Sequence, residues 1–167
     1  DPVTYNIPII GENPARATTH IHWHRRIDYN RKRTAGYQLM EAICEDDIGK
    51  VEELLDSGFN LTTKICHERN YDAMNLAAVL NRVQIIKYLI LRGGLLEFRD
   101  NEGNTPLLNA VKNWQFESIK TLVDYGAKTE IVDKFGKSPA QGARERNLES
   151  ISQFFETLDS QIGRAHV

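Results

Sequence analysis

Cysteine is scarce: Cys44 and Cys66 are the only two in 167 residues. That is too few for a disulfide framework, and it suits a reducing compartment, so an intracellular, cytoplasmic chain is expected. Both cysteines read as small buried or half-buried residues. Neither sign of charge dominates, since 21 Lys and Arg stand against 23 Asp and Glu, a net of −2. The chain as a whole therefore has no pull toward nucleic acid or a membrane surface. No apolar run approaches the ~20 residues a membrane helix needs, and no secretory leader is read in these residues. Glycine-rich phosphate loops are missing, and Gly103 and Gly136 sit in turn sequences instead. No Ser/His/Asp or Cys/His set suggests itself, because His67 beside Cys66 lacks a third group. Asp100-Asn101-Glu102-Gly103 lacks the alternating oxygen ligands and closing glutamate of a calcium loop. The chain is read as non-catalytic, without cofactor or metal.

What the chain does have is a block that recurs about every 33 residues. Tyr37–Ala42, Asp72–Ala77, Thr105–Ala110 and Ser138–Ala143 align, and their closing alanines are 35, 33 and 33 residues apart. A second ladder runs in phase: Val51–Leu55, Ile86–Ile90, Ile119–Val123 and Ile151–Phe155, with Gly58, Gly93 and Gly126 after the first three. A fixed period of this length marks a stacked repeat protein. Thr105 is placed to cap a helix, with Pro106 at the first helical position, and Ser138-Pro139 repeats the signal. Leu107, Ala110 and Val111 give the first helix one apolar face, while Phe116, Ile119, Leu122 and Val123 do so for the second. Asp100–Gly103 and Asp133–Gly136 are tight turns, and Asn70 stands where those glycines stand. Departures from the period fall in loops: a longer first hairpin between Gly58 and Ala77, and a shorter inter-helix loop before Ile151.

The block resembles the ankyrin repeat, whose signature is Thr-Pro-Leu-His-x-Ala, then an aliphatic pair, then Gly-Ala. Thr105-Pro106-Leu107 with Ala110, Leu122-Val123 and Gly126-Ala127 carry the resemblance, and the fourth copy keeps Gly136, Ser138-Pro139 and Ala143. The family histidine is replaced by Met40, Asn75, Leu108 and Gln141. The resemblance implies an all-α repeat fold, an ankyrin-type α-solenoid of about four helix-turn-helix repeats with short hairpin or turn fingers. Repeats are expected near 34–66, 67–99, 100–132 and 133–160. The third and fourth repeats also resemble the repeat block of proteins that join ankyrin repeats to an EF-hand, through Asn104–Leu107, Ile119-Lys120, Asp124–Lys128 and Gly136–Ser138. That implies a calcium-binding module elsewhere in a larger polypeptide.

Residues 1–33 do not fit the period. Pro2, Pro8, Pro14 and Gly11 predict an extended or poorly ordered arm. His20, His22 and His24 alternate as metal ligands on a strand would, but a fourth ligand is missing, and a polar linker is the simpler assignment. Arg25-Arg26 and Arg31-Lys32-Arg33 form a basic run beside an acidic first repeat containing Glu41, Glu45, Asp46, Asp47, Glu52, Glu53 and Asp56. Capping of that surface is favoured over a nucleic-acid or membrane tether, the alternative function, with an internal spacer a further one. Residues 161–167 read as a non-native tail.

Ankyrin repeats generally bind proteins across hairpin tips and exposed first helices, so the resemblance implies an interaction scaffold for a protein or peptide on the concave face. By position, the tip residues are Glu68, Arg69, Tyr71, Asn101, Glu102, Asn104, Lys134, Phe135 and Lys137. The helix residues are Val79, Leu80, Lys112, Asn113, Glu145 and Arg146. Tyr71, Leu80 and Phe135 stand out as apolar anchors, with packing between fingers as the competing assignment. Arg69, Lys112, Lys134 and Lys137 add positive charge, which suits an acidic segment with one or two hydrophobic residues.

Overall fold

Each repeat starts from a capped helix. In the computed structural model, which describes residues 4–8, 18–22 and 34–165 with side chains from 34 to 163, eight α-helices follow in four pairs. The pairs are α1 (Ala35–Cys44) with α2 (Ile48–Asp56), α3 (Ala73–Val79) with α4 (Val83–Leu91), α5 (Pro106–Lys112) with α6 (Phe116–Asp124), and α7 (Pro139–Glu145) with α8 (Glu149–Ala165). Thr34, Asp72, Thr105 and Ser138 cap the first helices, each side chain accepting from the backbone three residues on. Ser138 and Gln141 complete a capping box. The predicted all-α repeat fold is thus present. α8 runs through the boundary expected at residue 160, because the sequence from Leu158 to Gln161 contains no helix breaker.

The first helices stack on one another, α1 on α3 on α5 on α7, and the second helices form a parallel layer, α2 on α4 on α6. The alanine ladder Ala42, Ala77, Ala110 and Ala143 is buried between the layers, where a small side chain lets helices approach. Leu39, Met40, Ile43, Leu76, Ile85, Ile86, Leu89, Leu107, Ile119 and Leu122 are fully enclosed and make the core continuous. Phe154 closes the far end, meeting Phe116 edge-on at 5.9 Å between ring centroids. In repeat four, Gln141, Arg144, Ser150 and Gln153 are exposed where repeat three buries Leu108, Val111, Ser118 and Thr121.

Polar side chains stitch one repeat to the next. Arg82, just before α4, donates to the Ile43 and Cys44 carbonyls at 3.1 and 2.6 Å, closing the open end of α1. Gln115, 33 positions on, donates to the Val79 carbonyl of α3 at 2.8 Å. Asn81 Oδ1 accepts from the Ser118 amide at 3.0 Å and so caps α6, whose own N-cap residue provides no such bond. Helix ends that would be orphaned inside one repeat are therefore satisfied by its neighbour.

Backbone conformation follows the period as well. Asn70 adopts φ 59°, matching Gly103 at 79° and Gly136 at 78°. A second left-handed series, Asp46, Asn81, Trp114 and Asn147, marks the turn inside each helix pair. Outside the stack, β1 (Thr4–Pro8) pairs antiparallel with β2 (Thr18–His22), Thr4 opposite His22. This part of the arm, expected to be extended or poorly ordered, forms a ladder, since Tyr5, Ile7, Thr18, Thr19 and Ile21 favour strands and Pro8 stands at a strand end. His20 and His22 fall in β2, described by backbone alone. His24 and the basic run Arg25 to Arg33 lie outside the described residues.

Candidate functional site: a groove between fingers and first helices

The second and third fingers each begin with an aspartate that folds its own turn. Asp100 Oδ1 accepts from the amides of Glu102 and Asn104, both at 2.9 Å. Asp133 Oδ1 does the same for Phe135 at 2.8 Å and Lys137 at 3.0 Å. The fingers are also tied to one another. Asn101 donates from its backbone to the Arg69 carbonyl at 3.3 Å and from its side chain to the Glu68 carbonyl at 3.2 Å. Lys64 reaches the carbonyls of Asn70 and Arg99 at 2.9 and 3.1 Å and lies 3.6 Å from the Phe98 ring centroid. Lys134 pairs with Glu102 one finger back.

Between the tips and the first helices runs a groove of about 600 Å³. Glu68 and Arg69 line it from the first finger, Asn101, Glu102 and Asn104 from the second, Lys134 and Phe135 from the third, and Lys112 and Arg146 from the helices. All nine of these residues are among the tip and helix positions named from the sequence, and Arg69, Asn104, Lys112, Lys134 and Phe135 come together around the groove. Phe135 is 70 % exposed, flanked by the ammonium groups of Lys134 at 5.3 Å and Lys137 at 6.0 Å from the ring centroid.

Other predicted residues are elsewhere. Tyr71 is fully buried and bridges to Cys66 across the base of the first finger, so it is core and not an exposed anchor. Its position, directly before the helix cap, is covered to some degree in the second to fourth repeats: Asn104 is buried there too, and Lys137 half-buried. Leu80 packs against the core at the end of α3, and Val79 is fully enclosed. Asn113 is buried and donates to the Asn109 carbonyl at 2.8 Å. The lysines expected to offer free positive charge are partnered: Lys112 with Asp133 at 3.1 Å, Lys134 with Glu102, and Lys137 with Glu145.

Beneath the groove lies a buried polar chain that sequence reasoning missed. Asn109, fully enclosed, donates to Asn75 Oδ1 at 2.8 Å and to Asp100 Oδ2 at 3.1 Å. Asn75 in turn donates to Asp72 at 3.2 Å and to the Phe98 carbonyl at 2.9 Å. Burial pushes the Asp72 carboxyl up, against its bonds from Asn75. Burial alone would raise the Asp133 carboxyl too, but the Lys137 amide, the Lys112 side chain and the Phe135 amide overcome it and hold that group below its ordinary value. The sequence signal was asparagine at Asn75 and Asn109, where the neighbouring repeat carries Leu108 and Leu76.

A family model for ankyrin repeats, three copies, matches residues 39–133, more than half of the chain. The chain belongs to the ankyrin-repeat family. The ankyrin stack is similar to ankyrin repeat protein L92 of Acanthamoeba polyphaga mimivirus, 40 % identical over 53 residues, covering 32 % of this chain and 13 % of that protein. Serine/threonine-protein kinase 12 of Arabidopsis thaliana is 30 % identical over 93 residues, 56 % of this chain and 20 % of the kinase. Palmitoyltransferase ZDHHC17 of Homo sapiens is 27 % identical over 90 residues, 53 % of this chain and 14 % of the transferase. The chain thus spans a fifth or less of the length of these relatives, and the likeness to the two enzymes is at the level of the repeats. Ankyrin repeats generally mediate protein–protein interaction. Among the described residues, no helix is long and apolar enough to cross a membrane.

Proposed function

We propose that this stack is a non-catalytic interaction module inside the cell, which holds a protein or peptide segment in the groove between its fingers and first helices. The observation that carries this reading is Phe135, 70 % exposed on a finger whose turn is held by hydrogen bonds to Asp133, at the rim of the groove. An aromatic held in this way offers apolar contact at little ordering cost. An acidic segment with a hydrophobic residue suits the site. Its carboxylates would replace Glu102 and Glu145 on Lys134 and Lys137, and exposed ion pairs of that kind contribute little and exchange readily.

The test is capture of interacting proteins from the source cells by wild type and by Phe135→Ala, with the fold of both checked by circular dichroism. Tyr71→Ala is unsuitable for this purpose, since truncating an enclosed tyrosine would disturb the stack itself. Loss of a captured protein from Phe135→Ala supports the groove. A partner held equally well by both places binding on another face.

A further inference from the structure

We propose that Lys112 is the positioning residue of the groove, its buried ammonium joining the second finger to the third and so fixing where Phe135 stands. The inference rests on the reading of Phe135 as the contact residue. Lysine is rarely enclosed unless paired, yet the Lys112 side chain is only 11 % exposed and the Asp133 side chain only 6 %. The ammonium donates to Asn104 Oδ1 at 3.0 Å and meets Asp133 Oδ2 at 3.1 Å. The other Asp133 oxygen accepts from the Phe135 and Lys137 amides. A single carboxylate therefore connects the helix-borne cation to the backbone of the finger tip.

Phe135 depends on that connection. Its ring is largely exposed, and the recorded ring contacts are with two lysine ammonium groups on its own finger. Phe135 is not among the residues of the buried core, and its place is set through the backbone. The second finger is held differently. Its aspartate, Asp100, receives the neutral amide of Asn109. Both anchors come from α5, three residues apart, which makes this helix the common support of two fingers. The charged link is the harder to open, because swinging Asp133 away would leave an enclosed ammonium without its counter-charge.

The experiment is residue-resolved amide hydrogen exchange on the full chain, comparing wild type with Lys112→Met and Asp133→Asn. The second variant keeps an oxygen that can accept from the two finger amides while removing the ion pair, and it serves if the first fails to fold. In both, the Phe135 and Lys137 amides are expected to exchange at least about tenfold faster, with the Ile86 and Leu89 amides of α4 unchanged. Unaltered exchange at the finger in Asp133→Asn, or an equal rise across the whole stack, overturns the assignment. No partner is needed, so the outcome separates from that of the binding test. A loosened finger with Phe135→Ala still holding its partner would refute the groove as the binding site and leave the positioning role intact.

Discussion

Truncating Leu122 to alanine tests whether the four helix pairs behave as one stack. Leu122 is fully enclosed on α6, which packs against α5 in its own repeat and α4 in the one before. The substitution removes three carbon groups from an apolar site, about 2.4 kcal/mol at ~0.8 kcal/mol per group. If the surrounding helices cannot collapse, the residual cavity raises the cost toward ~5 kcal/mol. Stability in a repeat array is a sum of repeat and interface terms, so a defect in an internal repeat weakens the array on both sides. For a stack of this size each kcal/mol lowers Tm by roughly 3–5 °C, which places the expected fall at about 7–25 °C. Urea unfolding followed by circular dichroism gives the free energy, and a thermal melt gives Tm. Lys120→Ala is the control, since its side chain is 38 % exposed and its contacts, with Glu117 and with the Phe116 ring at 4.7 Å, lie on the same helix. It is expected to shift stability by no more than ~0.5–1 kcal/mol. A Leu122→Ala change as small as the control's would refute the continuous core.

Three further outcomes follow from the buried polar groups. Asn109→Ala strips donors from Asn75 and Asp100 and should cost about 1–3 kcal/mol, read from the urea midpoint. Burial lifts the Cys44 thiol to about 12, so folded protein should react slowly with iodoacetamide near neutral pH and rapidly once denatured. Because the Asp133 carboxyl is held below its ordinary value in the fold, its stabilising contribution is present above that ordinary value and is lost as pH falls through the folded one. Asp133→Asn should therefore be less stable at neutral pH and show a shallower decline in urea midpoint on acidification.

The repeat architecture was legible because its signals recur. One Thr-Pro pair is a weak helix start, but Thr105-Pro106 and Ser138-Pro139 at the same phase, with Gly58, Gly93 and Gly126 behind the second helices, leave few alternatives. Asn70, which stands where the turn glycines of the later repeats stand, shares their positive φ for the same reason. The turn series Asp46, Asn81, Trp114 and Asn147 carried the same period and went unread, since tryptophan is a poor candidate for that conformation and only the stack imposes it. The groove was less legible. Position along the repeat identified the finger residues, but exposure depends on what lies across from them. Tyr71 looks like a surface anchor until its direction toward Cys66 is known. Lys112 looks like a solvated lysine because its counter-charge, Asp133, lies beyond α6 in the next repeat.

Site-specific photo-cross-linking addresses the central claim most directly. A benzophenone side chain is placed at residue 135 in one sample and at residue 91 in another, and each is irradiated in an extract of the source cells. Leu91, at the end of α4, is 78 % exposed and belongs to the layer of second helices, so it controls for general stickiness. The account predicts a discrete adduct from position 135 that position 91 does not give. An adduct formed from position 91 and absent from position 135 would contradict it.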